Sequence, residues 1–326
     1  MPANLTPMYR KAEEAFRAAK TTEEKLAALD EMYATLPKHK GTEKIQADIR
    51  RRMAKLRTAA EEEAKGKGGG VDPFHVDKQG AGQFVLIGAP NAGKSALVGA
   101  LTKAHVKVAP YPFATHAPVP GMMPFEDVRI QIVDMPPVTR EAVVPGMAGT
   151  YRNADGVIVC VDLAAADLLD QVDLCLGVLA ERGIVPQGRE APEGGVAKPM
   201  LLAGTKVDVA GAAENFAALK ELHEGLVPMV AVSAETWHGL GDLARMCFEM
   251  LGVIRVYSKK PGTKADMEKP FVLPAGSTVL KMAEAVHRDL AGQLKFARIW
   301  GTGVYEGQPV QREHVLADRD IIELHV

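Results

Sequence analysis

Along residues 9–57 apolar side chains recur every three or four positions: Tyr9, Ala12, Phe16 and Ala19, then Leu26, Leu29, Tyr33 and Leu36, then Ile45, Ile49, Met53 and Leu56. Residues so spaced share one helix face, so the pattern predicts three amphipathic helices. Thr21 and Glu24 form a capping pair for the second, and Pro37 and Gly41 break the chain before the third. The stretch Ala64-Lys65-Gly66-Lys67-Gly68-Gly69-Gly70 is too rich in glycine to stay helical and reads as a linker. Beyond it, continuous apolar runs at 84–87, 128–133, 157–161, 200–203 and 227–232 alternate with helical stretches. Strands buried on both faces look like this, which predicts a mostly parallel sheet with crossover helices. The Gly- and Pro-rich interval 191–199 is expected to be a surface loop. After Gly252 the spacing predicts strands at 254–258 and 270–273, a helix over 279–290, and strands at 297–300 and 321–326, a small α+β unit. The expected division is therefore 1–70, 71–252 and 253–326.

Charge alters this picture locally. The 326 residues carry a formal net charge of −2, which excludes the strongly basic balance of a DNA-coating protein. Within 38–57, however, Lys38, Lys40, Lys44, Arg50, Arg51, Arg52, Lys55 and Arg57 face only Glu43 and Asp48. Such a helix is either a solvated face or a contact for RNA or a ribosome. The three cysteines, Cys160, Cys175 and Cys247, sit in apolar stretches without metal-ligand spacing, as buried free thiols do. The first twenty residues lack the apolar core of a signal peptide and no run reaches 18 apolar residues, so a cytoplasmic protein without membrane contact is expected.

The chemistry concentrates after the first strand of the sheet. Gly88-Ala89-Pro90-Asn91-Ala92-Gly93-Lys94-Ser95, followed by the helical Ala96 and its successors, fits G-x-x-x-x-G-K-[ST] between a strand and a helix. Glycines let successive backbone N–H groups and a helix N-terminus face an anion. Lys94 is placed to neutralise β- and γ-phosphates, and the Ser95 hydroxyl to ligate Mg²⁺. Thr205-Lys206-Val207-Asp208, directly after the strand at 200–203, matches [NT]-K-x-D. A carboxylate there accepts from both N1–H and the exocyclic amine of guanine, whereas adenine offers an acceptor at N1; such sites discriminate by about 10⁴-fold or more. Ser233 and Ala234, after the run at 227–232, fit the loop whose backbone amide reads the guanine O6. Asp134 ends the strand at 128–133 and is placed to hold Mg²⁺ through water, with Thr115 completing the Mg²⁺ shell.

The whole series resembles a known group. The GAPNAGKS loop, Tyr111-Pro112-Phe113-Ala114-Thr115 and Asp134-Met135-Pro136 are similar to the Obg and DRG (developmentally regulated GTP-binding) branch of translation-factor GTPases. Arg255-Val256-Tyr257-Ser258-Lys259 and Ala297-Arg298-Ile299-Trp300-Gly301 resemble the TGS domain that ends DRG proteins, and Leu36–Glu43 with the basic helix resembles their helical N-terminal region. The resemblance implies a helical hairpin, a P-loop GTPase domain and a ubiquitin-like β-grasp TGS domain, with GTP or GDP and Mg²⁺ as ligands. It also implies ribosome or RNA partners, reached through the basic helix and the TGS domain. Two positions depart from the usual GTPase pattern. Pro137 stands where the DxxG glycine donates its N–H to the γ-phosphate, a charge-assisted hydrogen bond worth about 1.5–3 kcal/mol. Val138 stands where small signalling GTPases carry a water-positioning glutamine, which implies slow hydrolysis. Asn91 is the loop residue that in similar GTPases binds K⁺, supplying positive charge in place of an arginine finger. The short interval between Asp134 and Lys206 leaves no room for the inserted subdomain of eukaryotic DRG proteins.

Lys94, Thr115 and Asn91 are thus the catalytic candidates for GTP hydrolysis, against a rival reading as a guanine-nucleotide-binding module with little turnover. An ATPase is disfavoured by the [NT]-K-x-D match. His75, His116 and His223 lack partners at metal-ligand or triad spacing, and Trp237 and Trp300 read first as packing residues.

Overall fold

The computed structural model describes residues 74–102, 118–139 and 146–326, together with Phe16, Ala28, Leu29, Met32, Tyr33 and Thr35. Contacts divide the chain into two units, Met1–Asp72 and Pro73–Val326. In the first, the described residues are helical, with Ala28, Leu29 and Met32 buried, in keeping with the stripe through Leu29. The stretches expected to form the linker at 64–70 and the basic helix at 38–57, together with Tyr111–Thr115 and His116, lie outside the described residues.

In the second unit the apolar runs become the centre of a six-stranded sheet. Its strands are β1 (Gln83–Ile87), β2 (Val119–Phe125), β3 (Val128–Asp134), β4 (Gly156–Asp162), β7 (Met200–Thr205) and β8 (Met229–Ala231), in the order β2-β3-β1-β4-β7-β8. All neighbours run parallel except the β2–β3 pair. Every residue of β1 and of β7 is buried, as expected of strands covered on both faces. The helices are α1 (Lys94–Thr102), α2 (Met147–Asn153), α3 (Leu168–Glu181), α4 (Ala212–Leu222) and α5 (Leu240–Leu251). Two apolar clusters fill the spaces either side of the sheet: one joins alternate β1 and β4 residues to α3, the other joins the remaining ones to α1 and α5. Cys160, Cys175 and Cys247 are buried free thiols, their pKa values pushed up by burial.

A second, five-stranded sheet follows, with β9 (Val253–Ser258), β10 (Phe271–Pro274), β11 (Phe296–Trp300), β12 (Gln308–Val310) and β13 (Asp320–His325) in the order β10-β9-β13-β11-β12. Its central pair, β9 and β13, is parallel and the rest antiparallel. The helix α6 (Val279–Val286) covers one face through Val279, Met282 and Ala283.

Three expectations need correction, and one strand has no forerunner in the pattern. The run at 227–232 is paired only over Met229–Ala231. The helix over 279–290 is interrupted at His287, whose extended backbone separates α6 from α7 (Arg288–Gln293) and whose ring accepts the Asp289 N–H at 3.2 Å. Part of the loop 191–199 is strand: β6 (Val196–Lys198) pairs with β5 (Ile184–Pro186). Finally, β2 was invisible to the pattern because Pro120, Gly121 and Pro124 interrupt it. The two-residue turn Glu126-Asp127 makes Phe125–Val128 a hydrogen-bonded pair, so Met123 and Gly121 are bonded too, and both prolines fall on the alternate positions of an edge strand, where no N–H is required.

Candidate nucleotide site

The phosphate loop leaves the C-terminal end of β1, and α1 begins at Lys94. Asn91 takes the left-handed conformation (φ 63°), which asparagine tolerates, and Gly93 follows with φ 80°. A Cβ on Gly93 would lie 3.3 Å from the Thr205 side chain, so the loop presses closely on β7. Lys94 is buried and folds back over the loop, donating to the carbonyls of Gly88 (2.9 Å) and Ala89 (3.1 Å). Burial holds its pKa below the ordinary lysine value, opposed in part by the charge of Asp134. Pro90, Asn91, Ser95 and Ala96 are exposed around it.

Ser95 Oγ donates to Asp134 Oδ2 at 2.5 Å, so the hydroxyl at the start of α1 and the carboxylate at the end of β3 converge. Burial raises the Asp134 pKa, against the lowering effects of the Ser95 hydrogen bond and the Lys94 charge. A carboxylate held partly out of water beside a hydroxyl is an all-oxygen donor set, the kind Mg²⁺ takes together with phosphate oxygens and water. The residues therefore fit that ion. Among the described residues no group of three or more His, Cys, Asp and Glu side chains is arranged to hold a metal.

The base-side motif is tied to the phosphate side by one hydroxyl. Thr205 is buried at the end of β7, and its Oγ1 lies 2.9 Å from the Ala92 carbonyl and 3.0 Å from that of Val161. Lys206, at φ 60°, donates to Asp162 Oδ2 at 2.6 Å. Asp208 is exposed beyond it. Val207 N–H donates to the Val232 carbonyl at 3.3 Å, joining this loop to the one holding Ser233 and Ala234. Ser233 is fully buried: its N–H donates to the His238 carbonyl and its Oγ accepts from Thr236 N–H, both at 3.0 Å. The structure thus brings Gly88, Asn91, Ala92, Lys94, Ser95, Asp134, Thr205, Lys206, Asp208, Ser233 and Ala234 to the C-terminal edge of one sheet. Thr115 lies outside the described residues.

Asp162 was missed by the motif search. Its signal was present, since it is the acidic residue ending the apolar run at 157–161, the next strand in the sheet. Switch-side geometry also adds to the sequence reading. Pro136 and Val138 are buried and Pro137 is exposed. Val138, the first residue after the proline pair with an N–H, donates it to the Gly88 carbonyl at 3.1 Å, and its side chain sits in the apolar cluster with α3. A separate cleft of about 500 Å³ opens between the start of α3 and α4, lined by Leu169, Asp173, Asn215 and Leu222 among others, and none of the motif residues lines it.

A strand–glycine loop–helix bearing a buried lysine, with a threonine-anchored [NT]-K-x-D loop beside it, defines the class as P-loop GTPase. The comparisons agree. A family model described as 50S ribosome-binding GTPase matches residues 83–187, and a TGS domain model matches residues 254–326. An uncharacterised GTP-binding protein of Halobacterium salinarum is 27% identical, covering 93% of this chain and 98% of its own. Developmentally-regulated G-protein 2 of Arabidopsis thaliana is also 27% identical, covering 92% and 90%. The crystal structure of a GTP binding protein from Pyrococcus horikoshii shares the fold over 74% of this chain and 99% of that one, at TM-score 0.50 and 17% identity. The chain thus carries a P-loop GTPase domain followed by a TGS domain, and over about nine-tenths of its length it is similar to developmentally regulated GTP-binding (DRG) proteins.

Proposed function

We propose that this protein binds GTP and GDP with Mg²⁺, hydrolyses GTP slowly, and acts as a cytoplasmic, ribosome- or RNA-associated GTPase. The observation that carries the reading is the Thr205 hydroxyl, which fixes the guanine loop against the phosphate loop through the Ala92 carbonyl. In this reading the amides of Asn91 to Ser95 receive the phosphates, and Lys94 leaves the Gly88 and Ala89 carbonyls for them. Ser95, Asp134 and Thr115 hold Mg²⁺, which when bound neutralises charge on the β- and γ-phosphates. Asp208 accepts from the guanine edge. Because the Ser233 N–H is engaged with His238, the amide assigned to the guanine O6 is that of Ala234. Asn91 is the residue proposed to hold K⁺.

Val138 favours a second reading beside the first. Its buried side chain positions no water, and its N–H is already given to Gly88. Turnover therefore depends on Thr115 and on a cation at Asn91, and without them the chain is a binding module.

The RNA reading has support on the second sheet. By strand alternation Phe296, Arg298 and Trp300 face away from α6, as do Glu323 and His325. Phe296 stacks on His325 at 4.5 Å, and the Lys259 ammonium lies 4.5 Å over the Trp300 ring. Aromatic faces beside cations suit unstacked bases and phosphates. The domain limits proposed for these parts are 1–70, 71–252 and 253–326.

The test is GTP turnover by purified protein in KCl and in NaCl with ATP as control, alongside Asp208→Asn. Slow turnover stimulated by K⁺ is expected, with the variant weakened about 10²-fold or more for GTP and shifted toward xanthosine nucleotides, whose C2 carbonyl accepts from an amide. Turnover equal to buffer in both salts would leave only the binding module, and preference for ATP would overturn the role given to Asp208.

A further inference from the structure

Strand β9 alternates Ile254, Arg255, Val256 and Tyr257, and the two apolar residues enter the core beneath α6. Arg255 and Tyr257 project to the other face and meet the turn of the β2–β3 hairpin. Arg255, 4% exposed, donates from Nε to Asp318 Oδ1 at 3.1 Å and from Nη2 to Asp318 Oδ2 at 2.6 Å. From Nη1 it donates to Asp127 Oδ1 at 2.9 Å and to Glu126. Its guanidinium lies 4.8 Å over the ring of Phe248 in α5, which stacks at 5.0 Å on Phe125, the last residue of β2. The Tyr257 hydroxyl donates to Asp127, and Arg319 donates to Glu126 at 2.6 Å. One buried cation thus holds three carboxylates, two from the β2–β3 turn and one from the turn that leads into β13. Pulling the hairpin away would leave a buried guanidinium with unmatched partners, which costs far more than breaking an exposed ion pair. The hairpin turn and β9 therefore move together.

The far end of the same hairpin is the nucleotide site. Val119 pairs with Asp134, and the ladder runs without a break to Phe125 and Val128. Seven paired residues at about 3.3 Å each make a rigid ribbon of roughly 20 Å, with the Mg²⁺ carboxylate at one end and the latch at the other. Val119 follows the segment that contains Thr115.

We propose that the β2–β3 hairpin is a lever coupling the guanine-nucleotide site to the C-terminal sheet through the Arg255 latch. GTP-dependent rearrangement at Asp134 reaches β9, and a ligand on the uncovered part of that sheet alters nucleotide affinity by the same factor that nucleotide alters its own. The inference rests on the GTP-binding reading above.

Amide hydrogen exchange on the full chain tests it, with and without Mg²⁺ and a non-hydrolysable GTP analogue, while a fluorescent guanine nucleotide reports binding separately. Expected is a change of at least about twofold in exchange of 253–258 and 318–325 as well as around Asp134. In Arg255→Met the change persists around Asp134 and is lost from the C-terminal strands; Tyr257→Phe, which removes the one hydroxyl contact to Asp127, and Glu126→Gln, which removes the charge facing Arg255 and Arg319, endanger folding less and reduce it. Nucleotide that binds and alters exchange at Asp134, yet leaves the wild-type C-terminal strands unchanged, overturns the lever alone. So does undiminished transmission in a cooperatively folded Arg255→Met. Failure to bind in the fluorescence titration overturns the GTP reading and the lever with it.

Discussion

At the scale of single residues, Asp134 is a carboxylate whose ionisation costs the fold stability. Burial raises its pKa in the fold, so ionising it costs the folded state more than the unfolded chain. The sign follows: the nucleotide-free fold loses stability as pH rises from the ordinary carboxylate value of 3.8 to the raised folded value, and stays at that lower level above it. Asp134→Asn keeps an acceptor for Ser95 and removes the charge. It is expected to melt higher than wild type at neutral pH without nucleotide, and to bind Mg²⁺–GTP at least about tenfold more weakly, about 1.4 kcal/mol. Melting curves between pH 4 and 8 with a parallel nucleotide titration check this, and a variant melting below wild type at pH 7 refutes it. Most of this site was legible in the sequence, because glycine, lysine and aspartate at fixed offsets have few other uses. The sequence marks Asp162 as the acidic end of an apolar run, but its pairing with Lys206 was not legible, since it spans two strands, nor was Val138–Gly88, which uses a backbone carbonyl that carries no residue signature.

At the scale of elements, helix α5 depends on its entry. Gly239 precedes Leu240 with φ 69°, and a Cβ there would lie 2.1 Å from the Ala231 carbonyl. The same turn places His238 to accept from Ser233 N–H, so the helix start and the base-side loop share one backbone path. Gly239→Ala is expected to destabilise the protein by about 2–4 kcal/mol, through left-handed strain plus the contact, and to weaken guanine binding. Urea denaturation measures the first effect, and a loss below about 0.5 kcal/mol would mean that the turn relaxes freely. The buried parallel strands were readable because both faces are apolar. Strand β2 was not, because its prolines obey a ladder rule that is visible only once the partner strand is known. The break at His287 was hidden for a related reason: the apolar spacing of 279–290 continues through a residue whose backbone is extended.

At the scale of the molecule, the net charge of −2 hides a strong local imbalance, since Arg50, Arg51 and Arg52 lie in a stretch with eight cations and two carboxylates. If that stretch contacts ribosomal phosphates, replacing these three with Gln lowers the slope of log K against log [KCl] by about 2–3. Ribosome co-sedimentation across a KCl series reads this, and an unchanged slope removes 38–57 from the interface. Among the described residues no helix is long and apolar enough to cross a membrane. The order of domains was readable from shifts in hydrophobic rhythm, whereas the Arg255 junction was not, because its partners lie more than 60 and more than 120 positions away in the chain.

The prolines of β2 bear on how this protein meets its neighbours. A strand at a sheet margin offers a row of amides that another chain can zip onto, and aggregation and strand-swapped assembly begin there. Pro120 and Pro124 remove two of those amides from the outer side of β2, and the opposite margin, β8, is only three residues long. Among the described residues, neither rim of the six-stranded sheet offers a long row of free amides, so a second chain gains little by pairing with it edge to edge.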